Sequence, residues 1–512
     1  MRSTTFQECA GSSRAQRRRL SRHSLTAALL LALAPLAAGA ATIAVTSPDD
    51  SDSAAIDTCT LRQAIMSMDV GGLVAACHRT GAAFGVDDTI TFAASAITGA
   101  MTPGTVTLAD SADAGGGIGG TLLVTAAQLT IDGSAWRGSG AGLYVDGVTI
   151  ARPVGATNRF GVLRDSAPAG SRLALVGVAI RNGDAFEPLC NGGREGGGVC
   201  MEAADLSMSD CRVSGNTAAF GGGGIASPSG AVTLERCTID HNTSYLGGGV
   251  GTGSGTVTIT SSTIDANGEW GTSNGGGMNA AGNLVVVDST ISGNLGKLGA
   301  GIAVGGTLSL TRSLIAGNEA YYDGGGIHAP GGTITLTGST VSSNFARYNG
   351  GGIHSGATLT VTNSTISGNH TLRDGAGIYS GGIVHLVHAT ISANSASGVG
   401  GGLEGNGSAT IDRSIVAGNT QSSGGDIDIA EPWTGSNNLV FASSLDLGPL
   451  QDNGGATPTM LPGPASAAID AIAPEDCVQT TDQRGVARPQ GAGCDIGAVE
   501  VAPDEIFADG FE

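Results

Sequence analysis

Aromatic and charged side chains are scarce in this chain, and many of them lie in short segments that recur along it. The residues that suggest ligand contact, here called the aromatic strip, are Tyr245, Trp270, Lys297, Tyr321, Tyr322, Arg347, Tyr348 and Arg373. Sugars are bound by such mixtures, because aromatic faces stack on sugar rings while charged groups reach hydroxyls or uronates. A surface that contacts carbohydrate is therefore one interpretation of the set. The alternative interpretation is a series of variable, soluble loops.

Two carboxylates in the same segments, Asp323 and Asp374, occupy equivalent positions two repeats apart. If the repeats are stacked strands, the two are separated by roughly 10 Å, near the upper limit for the carboxylate pair of an inverting glycosidase. Asn274 and Asn349 occupy the same position in other repeats, and asparagine shares with aspartate the ability to stabilise a turn. A turn role is therefore favoured, and we predict no catalytic residue.

Metal-binding patterns in the sequence are incomplete. Asp240 and Asp265 recur on adjacent repeats and suggest a calcium site, but Ser292 stands where a third ligand is needed. His328 and His354 are also one repeat apart, without further zinc ligands in the pattern. The sequence lacks a phosphate-binding loop with lysine, a nucleophile elbow, a metalloprotease helix and a paired CxxC motif. We therefore predict no metal site and no cofactor.

Two sequence markers recur in phase. The first is an asparagine that ends a short phrase, at Asn216, Asn242, Asn267, Asn294, Asn318, Asn344, Asn369, Asn394 and Asn419. The second is the last residue of a small-residue triplet, at Gly198, Gly224, Gly249, Gly277, Gly301, Gly326, Gly352, Gly377 and Gly402. Neighbouring asparagines are 24 to 27 residues apart. Two independent markers with one period indicate a structural repeat.

Within one repeat, apolar residues alternate with polar ones, as at Val257, Ile259 and Ile264, which is the period of a strand. Three short strands per repeat bury their apolar residues only when stacked on further copies. The sequence therefore predicts an all-β, right-handed parallel β-helix of about 25 residues per coil, with N- and C-terminal caps. Weaker coils are expected near residues 129–133 and 173–175. Glycines would form corners, and the asparagines would form a ladder of side-chain amides.

The first 40 residues have the pattern of an export signal, because arginines precede an apolar run over residues 25–38 that ends in small residues. A membrane-spanning helix and a twin-arginine signal are the alternatives, although the run is short and contains Pro35. The net charge of −20 argues against nucleic acid binding, which requires phosphate neutralisation. We expect a secreted, extracellular or outer-surface protein, without an integral membrane segment after signal cleavage.

The cysteine count fits an oxidising compartment. Of nine cysteines, Cys9 lies in the expected signal, and an even number remains. The candidate local disulfides are Cys59 with Cys77, Cys190 with Cys200, and Cys477 with Cys494. Cys211 and Cys237 occupy one inward position on adjacent repeats, where a disulfide and two buried thiols are equally compatible with the pattern.

Two terminal motifs extend this interpretation by resemblance. Residues 59–65 (CTLRQAI), followed by residues 88–92 (DTITF), resemble the CSLREA domain at the start of many exported bacterial β-helix proteins, with Thr60 and Gln63 departing from its consensus. Near the other end, segments LGPLQDNGG, AID, DQRG and CDIGAVE resemble the choice-of-anchor Q region of the same proteins. The phrases between them are similar to those of polymorphic outer-membrane proteins and pectate-lyase-like helices.

The resemblance implies a secreted or surface-displayed right-handed β-helix, usually without a proven activity. We expect a signal peptide over residues 1–40, a CSLREA-like N-terminal region and cap over 41–115, and the parallel β-helix over 116–445. A choice-of-anchor Q-like region over 446–500 and a C-terminal tail over 501–512 would follow.

Together, the repeat, the acidity and the aromatic strip predict adhesion, matrix or glycan interaction without catalysis. The alternative is a polysaccharide lyase or glycoside hydrolase acting on an acidic polysaccharide, and a third possibility is a spacer that presents its terminal regions. The expected partner is a polysaccharide or another cell-surface ligand. The sequence does not indicate an oligomeric state.

Overall fold

The protein folds into a right-handed parallel β-helix, as the repeat predicts. It is 42% strand and 5% helix, with about 11 turns of about 26 residues each. The residues described by this computed structural model are 40–50, 57–74, 76–85, 87–98, 104–110, 120–138, 145–186, 190, 193–441 and 445–502. The expected signal, apart from residue 40, and residues 503–512 of the expected tail lie outside the described residues.

Three long sheets form the sides of the solenoid, and a full coil contributes one strand to each. Sheet 1 contains Ala41–Val45, Arg79–Gly81, Asp88–Phe92, Gln128–Asp132, Arg172–Val176, Asp205–Ser209, Val232–Glu235, Val257–Thr260, Leu284–Val287, Thr307–Thr311, Thr333–Thr337, Thr358–Thr362, Ile383–Val387 and Ser408–Asp412. Its pairings are parallel, except that Arg79–Gly81 is antiparallel to Ala41–Val45. Strands are therefore present where the weaker coils were expected.

Sheets 2 and 3 are parallel throughout the described residues. Sheet 2 contains Thr105–Thr107, Val148–Ala151, Val178–Arg181, Arg212–Ser214, Thr238–Asp240, Thr263–Asp265, Thr290–Ser292, Leu314–Ala316, Thr340–Ser342, Thr365–Ser367, Thr390–Ser392, Ile415–Val416 and Leu439–Val440. Sheet 3 contains Leu122–Val124, Leu163–Asp165, Val199–Met201, Ile225–Ser227, Val250–Thr252, Met278–Ala280, Ile302–Val304, Ile327–Ala329, Ile353–Ser355, Ile378–Ser380, Leu403–Gly405 and Ile427–Ile429.

Shorter elements complete the coils and the ends. Between sheets 2 and 3 lie the two-residue corner strands Asp184–Ala185, Thr217–Ala218, Leu295–Gly296, Glu319–Ala320, Phe345–Ala346, His370–Thr371 and Ser395–Ala396. The hairpin Leu447–Gln451 and Thr459–Pro462 follows the last coil. The α-helices are Leu61–Val70 and Ala94–Thr98, and the 3₁₀ helices are Ser134–Trp136 and Pro474–Asp476.

The core consists of columns of identical or similar apolar side chains. In sheet 2, Ile239, Ile264, Ile291 and Ile315 follow one another on successive coils, and all are fully buried. Burying one isoleucine side chain contributes roughly 1.5–3 kcal/mol. Because neighbouring coils pair in register, every inward side chain meets its counterpart on the next coil. This stacking fixes which loop residues lie side by side on the outside.

The helix Leu61–Val70 packs on the strands Ala41–Val45 and Leu122–Val124 at the N-terminal end of the solenoid. Thr60 and Gln63 form its capping box, in which each side chain bonds the backbone N–H of the other residue. Thr60 and Gln63 thus act together to start the helix.

The C-terminal region, residues 445–502, folds back along the outer face of sheet 2. The hydroxyls of Thr340 and Thr365 donate to the carbonyl of Pro458 and to Oε1 of Gln483, both at 2.7 Å. An apolar cluster joins the region to the final coils, through Ile415, Ala417, Ala468, Ile472, Cys494 and Ile496. The region thus covers the outer face of sheet 2 on the later coils, from Thr340 onward.

Candidate functional site

The repeated asparagines form a buried ladder that sets the position of each following loop. Oδ1 of Asn318 accepts from the backbone N and from Nδ2 of Asn294, at 3.0 and 2.9 Å. Its Nδ2 donates to the carbonyl of Ile291 at 3.0 Å and to Oδ1 of Asn344 at 2.9 Å. The same bonds recur from coil to coil, as the sequence predicts. Every loop therefore leaves the solenoid at the same place.

The glycine triplets bring the chain back from the loop to sheet 3. Gly324 has φ 65°, in the left-handed region that favours glycine. A Cβ on Gly325 would lie 2.3 Å from the carbonyl oxygen of Phe345 on the next coil. Neighbouring coils therefore approach too closely at this corner for any side chain, and ligand contacts are left to the loop before the triplet.

Asp323 and Asp374, just before their triplets, hold backbone rather than facing each other as a catalytic pair. Oδ1 of Asp323 accepts from the N–H of Asn349, and Oδ1 of Asp374 accepts from the N–H of Val399, both at 2.9 Å. The amide of Asn349 occupies the equivalent place on the intervening coil. This arrangement agrees with the turn role that the sequence favours.

Four rings of the aromatic strip, contributed by three of four successive coils, lie together. The centroids of Tyr321 and Tyr322 are 5.0 Å apart with an edge-to-face geometry, and those of Tyr322 and Tyr348 are 5.3 Å apart. Trp270 meets Tyr321 edge to face at 5.9 Å. Contacts at these distances stabilise aromatic pairs. The sequence-predicted residues thus form a continuous cluster at Trp270, Tyr321, Tyr322 and Tyr348.

A second row of rings, which the sequence interpretation missed, runs beside the first. The ring of Phe345 is parallel to Trp270 at 6.3 Å and to His370 at 5.6 Å. Phe345 and His370 each follow a ladder asparagine directly and begin a corner strand. Their position one residue after the asparagine, pointing outward because the asparagine points inward, was the signal that could have identified them.

Tyr245 lies apart from this cluster and pairs with Phe220, another residue that the sequence interpretation missed, at 6.0 Å. Tyr245 is 42% exposed and Trp270 is 39% exposed, which is unusual for large apolar side chains. A cavity of about 280 Å³ opens beside Tyr245, lined by Phe186, Thr217, Ala218, Ala219, Thr243, Ser244, Tyr245, Glu269 and Thr272.

The cations of the strip lie over its rings instead of pairing with carboxylates. Nζ of Lys297 is 5.7 Å from the ring centroid of Tyr322. Cζ of Arg347 is 5.0 Å from Tyr321, and Cζ of Arg373 is 4.8 Å from Tyr348. Within the described residues, none of these three cations forms an ion pair. Their hydrogen-bonding groups are therefore free to meet a ligand.

Sheet 3 carries a different ladder on its outer face. The rings of His328 and His354 stack at 5.0 Å, and those of His354 and Tyr379 at 4.9 Å with 6° between their planes. Glu404 and Asp428 continue the same column on the next coils. Burial and the neighbouring His354 lower the pKa of His328 to about 4, and burial also lowers the pKa of His354. Both histidines are therefore neutral near pH 7.

Glu404 has the opposite shift. Burial, with Asp374 and Asp428 nearby, raises the pKa of its carboxyl to about 7. Its Oε2 is buried without a hydrogen-bond partner among the described residues. Across the described residues, no group of three or more histidine, cysteine, aspartate or glutamate side chains is arranged to hold a metal ion.

Asp240 and Asp265, the two carboxylates that recur on adjacent repeats, each accept hydrogen bonds from other side chains. Asp240 accepts from Arg212 through both oxygens, at 2.9 and 2.8 Å, and from His241. Asp265 accepts from the hydroxyl of Ser292 at 2.6 Å. Asp240 is thus paired with Arg212, and Asp265 is held by a neutral hydroxyl.

The cysteines of the described residues fall into two groups. Disulfides join Cys59 to Cys77, Cys190 to Cys200, and Cys477 to Cys494. Cys211 and Cys237 are buried free thiols. They precede a column of inward serines in which each hydroxyl accepts from the backbone N–H of the previous coil, beginning with Ser262, Ser289 and Ser313.

The fold and the exposed strip define a β-helix protein with a lateral row of rings and cations. Residues 174–314 match the family model described as "Right handed beta helix region", so this part of the chain is similar to that family. Neither the curated proteins nor the solved structures contain a significant match. Among the described residues, no helix has the length and apolar character needed to cross a membrane.

Proposed function

We propose that the protein binds polysaccharide, without catalysis, through the aromatic strip. The observation that carries the proposal is the set of three cations without ion pairs that lie over half-buried rings, in a chain with a net charge of −20. A lone soluble loop would not require such a cluster on successive coils. Sugar rings stack on aromatic faces, and guanidinium and ammonium groups donate to sugar oxygens.

The spacing of the coils supports a long ligand. Successive coils are about 4.8 Å apart, comparable with the advance per sugar along an extended polysaccharide. Phe345 and His370 lie on adjacent coils, and Trp270, from a coil nearer the N-terminus, stacks on Phe345. A polysaccharide lying parallel to the solenoid axis would meet rings on the coils of Asn318, Asn344 and Asn369.

Catalysis is not part of the proposal, because Asp323 and Asp374 already hold turn backbone. The lyase or hydrolase alternative is tested by incubating the protein with acidic and neutral polysaccharides. Release of unsaturated products or reducing ends above a heat-treated control would establish it.

The proposal includes export to the cell surface or the medium. The pattern of residues 1–40 supports it, and so do the three disulfides, which persist in oxidising compartments. The CSLREA-like and choice-of-anchor Q-like segments also support export. Cell fractionation, with N-terminal sequencing of the recovered protein, tests this point, and recovery of uncleaved chain from the cytoplasm would contradict it.

Binding itself is tested with a glycan array and polysaccharide pull-down. We expect wild-type protein to bind and the double variant Trp270→Ala, Tyr322→Ala to lose at least tenfold in affinity. Tyr379→Ala, which removes a ring from sheet 3, is the matched control and should bind as wild type. Failure of the wild type to bind, or equal binding by the double variant, would refute the proposal.

A further inference from the structure

The outer face of sheet 3 contains a trough that ends at a stack of rings. The outward column of this sheet has no ring on three successive coils and a ring on each of the next three. In chain order, these residues are Gly251, Asn279, Ala303, His328, His354 and Tyr379. The three coils before the rings therefore leave space where the stack would otherwise continue.

Two adjoining cavities occupy this space. The first has a volume of about 280 Å³ and extends from Asn274 and Asn279 to His328. The second, of about 270 Å³, extends past Gly251 and shares Asn279 with the first. Together they reach the size of sites that hold small organic ligands. No residue of the aromatic strip lines either cavity, so this trough is a separate feature of the surface.

The ring of His328 forms one end of the first cavity. His354 stacks on one face of this ring at 5.0 Å, with 20° between the two planes. On the coil at its other side, His328 is paired with Ala303, whose side chain is only a methyl group. Neighbouring strands are about 4.8 Å apart, which is close to the centroid separation of stacked rings. A planar ring lying over Ala303 would therefore extend the stack by one member.

A buried acceptor in the first cavity lacks a donor. Oδ1 of Asn274 is buried and has no hydrogen-bond partner among the described residues. In the equivalent position on later coils, Oδ1 of Asp323 and Oδ1 of Asp374 each accept from a backbone N–H of another coil. Asn274 thus keeps free an acceptor that its counterparts use within the fold. Because an unpaired buried acceptor costs free energy, a ligand that brings a donor would be favoured there.

The lining of the first cavity favours a ligand without charge. Among the described residues, no aspartate, glutamate, lysine or arginine lines it, and His328 is neutral near pH 7 because burial lowers its pKa. Leu298 and Pro330 supply apolar walls. A sugar would bring several hydroxyls against these walls, where they would lose hydrogen bonds to water. A flat ring with one polar edge avoids that cost.

We propose that the first cavity binds a small, neutral, planar heteroaromatic ring, which stacks on His328 and donates an N–H to Oδ1 of Asn274. The stack sets the orientation of the ring, and the acceptor sets which edge of the ring points toward Asn274. This function is independent of polysaccharide binding, because the two surfaces share no lining residue.

Isothermal titration calorimetry of the full chain at pH 7, with indole and benzimidazole as probes, tests the proposal. We expect the wild type to bind. Ala303→Phe places a ring of the protein in the stacking position, and His328→Ala removes the platform, so each should weaken binding at least tenfold. Tyr379→Ala removes a ring from the far end of the stack and is the matched control, with affinity expected within twofold of the wild type. Thermal unfolding would show that the variants are folded.

A second comparison tests the hydrogen bond to Asn274. 1-Methylindole and 1-methylbenzimidazole keep the planar ring but lack the N–H donor. We expect the wild type to bind them about fivefold more weakly than the parent compounds, as for the loss of one hydrogen bond. Asn274→Leu should bind the parent and the methylated compounds alike. Leucine already occupies the equivalent position at Leu246 and Leu298, so this variant should keep the fold.

Four results would overturn the proposal. They are a wild type that binds neither probe, binding that Ala303→Phe or His328→Ala leaves unchanged, an equal loss in Tyr379→Ala, and a preference for the N–H compounds that persists in Asn274→Leu. Methyl glucoside separates a planar ring from a sugar. If the wild type binds methyl glucoside but neither probe, and Ala303→Phe abolishes that binding, the cavity would be assigned to a sugar instead.

Discussion

The asparagine ladder and the aromatic strip are separated by only a few residues on each coil, yet they differ in residue type and in burial. Each ladder position is the same residue, and all of them are buried, with Asn318 fully so. The strip varies from coil to coil and exposes rings such as Trp270. The ladder is constant because every coil must make the same amide bonds. The strip is free to vary, so what it does contain is informative about ligands.

The largest effect that separates the two regions should be on stability. Asn318→Ala removes an amide that makes four hydrogen bonds in the core and leaves groups of Asn294 and Ile291 without partners. We expect a loss of about 3 kcal/mol in the free energy of unfolding. Tyr322→Ala, in the strip, should cost less than about 1 kcal/mol. Urea denaturation measures both.

The matched control is Asn279→Ala, which makes the same change at an outward asparagine of sheet 3. Its unfolding midpoint should stay near that of the wild type. Equal losses in Asn318→Ala and Asn279→Ala would mean that the buried amide bonds do not distinguish the ladder from the surface.

A second test uses pH. The stability that the asparagine ladder contributes does not depend on pH, because amides do not titrate in this range. Glu404 has a pKa of about 7 in the fold and near 4.5 when unfolded. The contribution of the protonated Glu404 side chain to the free energy of unfolding is therefore fully present below pH 4.5. It is lost as the pH rises through 7. Glu404→Gln should be more stable than the wild type at pH 8, by on the order of 1–2 kcal/mol after allowance for partial exposure.

The advantage of Glu404→Gln should disappear at pH 4, where both side chains are neutral. Denaturation of both proteins at the two pH values measures it, with Glu319→Gln, on an exposed corner strand, as the control. An advantage that is the same at pH 4 and pH 8 would show that burial of the charge is not its cause.

The smallest expected effect concerns the cations of the strip. Arg373→Ala should weaken polysaccharide binding two- to fivefold, about 0.5–1 kcal/mol, because an exposed cation near a ring contributes little more. Arg236→Ala, which removes an arginine paired with Asp210 and Glu235, should leave binding unchanged. A microtitre binding assay compares them, and equal weakening would indicate general charge effects instead of contact.

Much of this architecture was predictable, because the stacking of coils forces the sequence to repeat. The alternation at Val257 and Ile259 and the asparagine period identify the strands and the ladder. Phe345 and His370 were missed because the strip was defined by the loops, whereas these rings extend from the corner strands. Pairs such as Arg212 with Asp240 join residues on different coils, which only the register brings together.

The position of the C-terminal region was not predictable for a related reason. Its contacts depend on the outer face of sheet 2, and outward residues such as Thr340 and Thr365 look like ordinary exposed strand residues in the sequence. No period links them to Pro458 or Gln483. Contacts outside the repeat leave no repeated signal.

That same region has a consequence for how the chain folds. The ladder bond between Asn344 and Asn369 spans 25 residues, whereas the bond between Thr365 and Gln483 spans 118. Closing the longer loop costs more entropy, and its docking surface exists only once several coils have formed. The solenoid can grow one coil at a time, but the C-terminal region can dock only at the end. Once docked, this region stabilises the last coils, which would otherwise be the first to unfold locally.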